Sequence, residues 1–196
     1  MSLFKTLSAV GLTFLIFTKA YAATFIEPSI GYRSHNLKLT SITTATTEVK
    51  MATPVYGLKI GYSSPLGIDL NLSYDYSSGK AEITPSMEKN DFSQSTVSAQ
   101  LGVSALGVMK IYLGYGFLNE LKIKEGLTTS DMNLKGQAYQ AGLQFKIFSR
   151  VMLGLQYNIN QYKTVSGRDF ILGEKIDTYF NKVDSQDYSL NLSTSF

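Results

Sequence analysis

Tyr188-Ser189-Leu190-Asn191-Leu192-Ser193-Thr194-Ser195-Phe196 closes the chain. Tyr188, Leu190, Leu192, Thr194 and Phe196 are apolar or β-branched, and only small polar residues stand between them. A period of 2 gives an extended strand one apolar face and one wet face. A water-soluble protein gains little by ending such a strand on an aromatic ring, so the apolar face needs a different kind of neighbour.

Working outward from this stretch, the same alternation occurs seven more times from Phe25 onward. Ile26, Pro28, Ile30 and Tyr32 alternate with Glu27, Ser29, Gly31 and Arg33. Pro54, Tyr56, Leu58, Ile60 and Tyr62 alternate with Val55, Gly57, Lys59 and Gly61. Ile68, Leu70, Leu72, Tyr74 and Tyr76 alternate with Asp69, Asn71, Ser73 and Asp75. The pattern returns at residues 97–105, 109–117, 139–147 and 151–159. Segments of roughly 9–12 residues are the length a tilted strand needs to cross a bilayer.

Between these segments the connections alternate in length. Short turns are expected around Ser63-Ser64-Pro65-Leu66-Gly67, Leu106-Gly107 and Phe148-Ser149-Arg150. Long polar stretches cover about 36–53, 77–93, 119–134 and 162–185, and are expected to be loops carrying isolated apolar residues such as Met51, Ile83 and Phe180. The Lys- and Glu-rich start of the third could also form a helical turn or a hairpin extension. An even number of strands puts both termini on the side of the short turns. This predicts an all-β fold, an eight-stranded antiparallel up-and-down transmembrane β-barrel.

Composition agrees. The 196 residues include no Cys and no Trp but 13 Tyr, 11 Phe and 16 Gly. Without Cys there is no disulfide framework and no thiolate metal site. Mean hydropathy is near zero, as expected where half of every strand faces a polar lumen. Residues 1–22 read as a cleaved signal peptide: Lys5 is the positive start, Leu7 to Phe17 the apolar run, and Ala20-Tyr21-Ala22 the small-x-small site. The barrel domain is then 23–196. Removing Lys5 and Lys19 from the 18 Lys and Arg leaves 16 against 15 Asp and Glu, a net charge of +1. Nucleic-acid binding has no electrostatic basis in such a chain.

Alternation alone does not orient the faces. A soluble barrel would point the apolar face inward, placing roughly forty large side chains in a lumen that eight strands make only just wide enough for ordinary packing. The small, Gly- and Ser-rich face therefore lines the lumen and the apolar face meets lipid. Threading the strands up and down then puts Tyr32, Tyr56, Tyr74, Tyr115, Tyr139, Tyr157 and Tyr188 at the outer level, with Tyr62 and Phe145 at the inner one. Two aromatic girdles are what membrane interfaces favour.

The predicted lumen charges are Glu27, Arg33, Lys59, Asp69, Asp75, Lys110, Lys146 and Asp187. Glu27 and Asp69 share the inner level with Lys110 and Lys146. Arg33 and Lys59 are expected higher up with Asp75 and Asp187, and Arg33 with Asp75 as a bidentate pair. Charges in a narrow lumen are costly unless paired, so the set reads as a plugging network. A gate whose pairs exchange partners is the alternative. No catalytic constellation is legible: the sole His, His35, reads as a solvated residue at the outer rim, and neighbouring Ser34 points to the opposite face. The loop carboxylates lack metal-ligand spacing, and neither cofactor nor metal is expected.

Taken together, the chain resembles the small eight-stranded outer-membrane proteins of Gram-negative bacteria, of the OmpA transmembrane-domain and OmpX type. The resemblance covers the whole stretch from signal to Phe196, and its sharpest motif is the last strand. It implies that Tyr188, Leu190, Leu192 and Phe196 form the assembly signal read by the barrel-assembly machinery. It further implies a monomer among outer-membrane lipids and lipopolysaccharide, with loops open to an extracellular ligand. The implied role is envelope structure or surface adhesion. Alternatives are a narrow gated pore and, centred on His35, a lipid-modifying enzyme.

Overall fold

The computed structural model describes residues 23–42, 45–84, 88–105, 107–124, 131–167 and 170–196. The expected signal peptide, 1–22, lies outside them, as does Leu106. Nine strands follow in chain order: β1 (Ala23–Ser41), β2 (Thr46–Ser63), β3 (Ile68–Thr84), β4 (Glu88–Ala105), β5 (Met109–Ile123), β6 (Met132–Lys146), β7 (Val151–Gly167), β8 (Phe170–Lys175) and β9 (Phe180–Thr194). Eight of them close an all-antiparallel, up-and-down barrel, in which each pairs with its chain neighbour and β9 pairs with both β7 and β1. The terminal residue takes part in the closure. Phe196 N–H donates to Ile26 O at 3.0 Å, and Ile26 N–H donates to Phe196 O at 3.2 Å. Closure leaves no spanning edge unpaired, which a strand in hydrocarbon requires.

Short connections occur where expected. Between β2 and β3, Ser64 N–H donates to Ile68 O at 2.8 Å, and the Ser64 hydroxyl accepts from Ile68 N–H at 3.1 Å. Between β6 and β7, Ile147 N–H donates to Val151 O at 3.0 Å.

The long polar stretches are not the expected loops, and this is the main correction to the sequence reading. β1 runs on to Ser41 and β2 begins at Thr46. β3 and β4 likewise extend to Thr84 and from Glu88. The β5–β6 stretch is a hairpin extension, with pairing up to Ile123 against Met132. Within the fourth stretch, β8 folds back on the outer end of β7, and a 3₁₀ turn at Ile176–Thr178 leads into β9. A 17-residue strand such as β3 is about 55 Å long at ~3.3 Å per residue. Tilted by about 45° it rises roughly 40 Å, whereas a membrane barrel's apolar band is ~25 Å tall. The barrel therefore projects about 15 Å beyond the band.

Along one strand the two faces exchange polarity without losing phase. On β1 the outward residues run Ile26, Ile30, Tyr32 and then Ser34, Asn36, Lys38, Thr40. The lumen residues run Glu27, Ser29, Gly31, Arg33, His35 and then Leu37, Leu39. The lower part has its apolar side chains outside, as a bilayer demands. The upper part has them inside, as water demands. Leu37, Leu39, Val49, Met51, Ala81, Ile83, Phe92, Leu121, Ile123, Met132, Leu134, Tyr162, Val165 and Phe180 form one buried cluster across the projecting barrel. Met51, Ile83 and Phe180, expected as isolated loop residues, belong to this core.

Candidate functional site

The lumen is built in layers. At its inner end a vestibule of about 340 Å³ is lined by Asp69, Lys110, Gln144, Lys146 and Arg150, among others. Its floor is an ion pair, Lys110 Nζ to Asp69 Oδ2 at 2.7 Å, with the Ser104 hydroxyl donating to the same oxygen at 3.4 Å. The Lys110 ammonium also stands 5.1 Å from the centroid of the Phe25 ring. Beside this pair, Glu27 is buried between Gln144, whose amide donates to it at 2.7 Å, and Lys59 at 3.6 Å.

Lys59 was expected one level higher with Asp75. It instead reaches Glu27, its direct ladder partner on β1, and its ammonium lies 4.6 Å from the centroid of the Tyr112 ring. Lys146 is a second correction. It points toward the lumen side, but at the last residue of β6 it is exposed at the inner mouth, and among the described residues it makes no ion pair. A terminal lysine that reaches water needs no buried partner.

At mid-height Tyr112 crosses the lumen and its hydroxyl donates to Gln156 Oε1 at 2.8 Å. Beside it the Ser73 and Ser98 hydroxyls (2.6 Å apart), Gln100 and Gln140 form a neutral hydrogen-bonded cluster.

Above these lies Arg33, buried between two carboxylates. Its Nη2 is 3.6 Å from Asp75 Oδ2 and its Nε is 3.6 Å from Asp187 Oδ1. The expected bidentate Arg33–Asp75 fork is thus replaced by a bridge, with one nitrogen turned to each acid. Asp187 also accepts from the Asn158 amide and from the Asn160 amide, the latter at 2.9 Å. The remaining negative charge is spread over these amide donors, which is how a buried carboxylate is tolerated.

His35 is not a rim residue. Its side chain is buried one rung above Arg33, where Nδ1–H donates to Gln94 Oε1 at 3.1 Å. That tautomer leaves Nε2 to accept from the Ser185 hydroxyl at 2.7 Å. Gln94 and Thr96 both donate to Asn119, and Asn119 donates to Asn160 at 2.8 Å. This amide layer is the ceiling of the polar lumen, and the apolar cluster begins directly above it. Sequence reading missed it because Gln94, Asn119, Asn160 and Ser185 carry no charge and stood in segments taken as loops or strand ends.

Outside, Tyr32, Tyr56, Tyr74, Tyr115, Tyr139 and Tyr188 are exposed at the outer level, and Tyr157 is half-buried. Cross-strand pairs join them: Tyr157 and Tyr188 stack with ring centroids 4.8 Å apart, and Tyr115 and Tyr139 tilt together at 5.7 Å. Phe145 and, partly, Tyr62 are exposed at the inner level. Tyr188, Leu190, Leu192 and Phe196 stand in a row on the outer face of the closing strand.

A second concave feature lies on the outside of the projecting sheet. It is a cleft of about 820 Å³ reaching from Tyr76 up to Lys80, Asp91 and Lys124. Lys80 pairs with Asp91 at 2.5 Å, and its hydrogen bond and charge hold the Asp91 carboxyl below its ordinary range.

Three comparisons bear on this architecture. The backbone is similar to that of Ail, the attachment invasion locus protein of Yersinia pestis, solved in complex with the heparin analogue sucrose octasulfate. The TM-score is 0.56 at 18% identity, over 88% of this chain and 99% of that one. It is also similar to the Neisserial surface protein A (0.52, 18%, over 90% and 99%) and to the outer membrane protein AlkL in lipid bilayers (0.58, 15%, over 90% and 92%). At these identities the likeness is one of fold. No curated protein sequence matches the chain. Residues 8–196 match the family described as outer membrane protein beta-barrel domain, so the chain belongs to the outer-membrane β-barrel family.

Proposed function

We propose that this is a sealed outer-membrane barrel whose work is done on its outer surface, in envelope structure or surface contact, rather than by passage through the lumen. The observation that carries this reading is the apolar cluster around Leu37, Met51, Phe92, Leu121 and Leu134. It fills the projecting barrel directly above the polar layers, and a dry apolar constriction opposes ions even where the charges beneath could exchange partners. The stacked layers of Lys110–Asp69, Lys59–Glu27 and Asp75–Arg33–Asp187 support it from below.

The same burial argues against chemistry at His35. Ser185, its hydroxyl partner, is as deeply buried as the imidazole, beneath the apolar core, so a substrate has no approach to a nucleophile there. The exposed row of Tyr188, Leu190, Leu192 and Phe196 on the closing strand supports its role as the assembly signal.

Single-channel recording of the refolded, signal-free protein in a planar bilayer tests the proposal. Silence across salt and voltage is expected. Reproducible steps that change with charge reversal at Arg33 or Lys59 would establish the pore instead.

A further inference from the structure

The outward cleft is a transverse groove, and its shape follows from the ladder register. One rung across five strands consists of Ser78, Ser93, Lys122, Asn133 and Ser166, four of the five short and hydroxyl- or amide-bearing. The rung below begins with Tyr76 and the rung above carries Lys80, Asp91 and Lys124, where Lys124 N–H donates to Asp91 O at 2.8 Å. Short side chains thus floor a groove between two rows of long ones.

Bulges give the sheet its local bend. One extra residue stands on β5, at Phe117 between the pairs Val97–Leu118 and Ser98–Gly116, and another on β7, at Lys163 between the pairs Lys135–Thr164 and Gly136–Tyr162, both just below the serine rung. Two strands that flank β6 are thus bulged at one height, and a bulge bends its strand and sharpens the local twist.

The groove's height is informative. Tyr76 belongs to the outer aromatic level, opposite Tyr56. Successive outward rungs are about 7 Å apart along a strand, or about 5 Å in height at ~45° tilt. The serine rung therefore stands about 5 Å, and the Lys80–Lys124 rung about 10 Å, above the girdle, which spans the headgroup layer of a bilayer. The lining carries Lys80, Lys122 and Lys124 against Asp91 and Asp131, one positive charge in excess, and Asp91 is already neutralised by Lys80. Lys122 stands 3.6 Å from Glu120, a carboxylate it shares with Lys135 at 3.4 Å, and Lys124 has no ion-pair partner among the described residues. Hydroxyls and amides on the floor, an aromatic edge and ammonium groups above suit a sugar ring bearing an anionic substituent, and the volume suits a disaccharide.

We propose that this groove holds the phosphorylated saccharide headgroup of a lipid in the surrounding outer leaflet. Lys122 and Lys124 meet the phosphate, Ser78, Ser93 and Asn133 meet the sugar hydroxyls, and Tyr76 packs against the ring. The assignment does not depend on whether the lumen conducts.

The test is native mass spectrometry of the protein in nanodiscs doped with a glycolipid whose headgroup is a phosphorylated disaccharide. Two groove variants, Lys122→Glu with Lys124→Glu and Ser93→Trp, are compared with a control on the other side of the barrel, Lys38→Glu with Lys182→Glu. All these positions are on the outer surface of the sheet. Glycolipid retained per barrel is expected to fall about tenfold in both groove variants and to hold in the control. Wild-type retention in the groove variants, or an equal fall in the control, overturns the site. Displacement by an acyl-free phosphorylated disaccharide at matched concentration overturns the membrane source.

Discussion

Gly142 lies directly across the ladder from Tyr112, and its missing side chain is what lets the Tyr112 ring cross the lumen. A Cβ at Gly142 would collide with the far end of that ring, and the ring is held there by its hydroxyl on Gln156 at 2.8 Å. The expected cost of Gly142→Ala is about 1–3 kcal/mol of overpacking. Urea unfolding of the refolded barrel measures it. Tyr112→Leu in the same background should recover part of the loss, because it removes the atom that clashes.

Arg33 serves two acids. Removing it as Arg33→Met leaves Asp75 and Asp187 buried with no cation, and the expected loss is about 3–5 kcal/mol. Adding Asp75→Asn and Asp187→Asn to that variant should restore most of it. If the triple variant is no more stable than the single one, the Asp75–Arg33–Asp187 bridge at 3.6 Å on each side does not set the stability of this layer.

Leu37 and Ile30 are apolar residues on one strand, seven positions apart and on opposite faces. Leu37→Ala opens a cavity in the projecting core, for an expected 2–5 kcal/mol, roughly. Ile30→Ala exchanges a lipid contact for a smaller lipid contact, so it should cost well under half as much. Lysine probes depth: Ile30 is the ladder partner of Tyr56 in the outer aromatic level, so Ile30→Lys should cost no more than about 1 kcal/mol, while Lys38→Ile, on the same face but above the band, should be close to neutral. Denaturation midpoints of the four variants decide the order.

His35 holds two buried partners. Replacing it as His35→Phe orphans Gln94 Oε1 and the Ser185 hydroxyl, and each orphan costs about 1–3 kcal/mol. The lipid composition of membranes carrying this variant should match wild type. A changed lipid profile at unchanged barrel abundance would point to chemistry at His35.

Much of this was legible in the sequence, for a physical reason. Within the band every outward position must be apolar, so residues such as Leu70, Leu72 and Tyr74 repeat on one parity and mark both strand and face. The projecting segments were misread because their apolar residues sit on the other parity. Leu37 and Leu39, Val49 and Met51, Met132 and Leu134 keep the period of 2 while the surrounding medium changes, whereas on β5 the bulge at Phe117 turns Leu121 and Ile123 inward on the parity of the outward Leu113 and Tyr115. The visible signal was that continued alternation, with Asn36, Lys38 and Thr40 as its wet face. Lys59 was placed too high because a strand position fixes only the Cα, and its long side chain runs down to Glu27. Lys146 has the right parity, yet the lumen ends before it does. The groove joins short residues of five strands in one rung, above bulges at Phe117 on β5 and Lys163 on β7, and periodicity within a strand reveals neither the cross-strand register nor the bulges.

The exchange of faces near His35 is the central claim, and labelling tests it directly, since the chain has no native Cys. Single variants Ile30→Cys, Leu37→Cys and Lys38→Cys carry a spin label in bilayers, and collisions with oxygen and with a water-soluble nickel reagent are recorded. The predicted result is a lipid signature at position 30, a water signature at 38 and protection from both reagents at 37. A lipid signature at 38, or nickel contact at 37, would contradict the account.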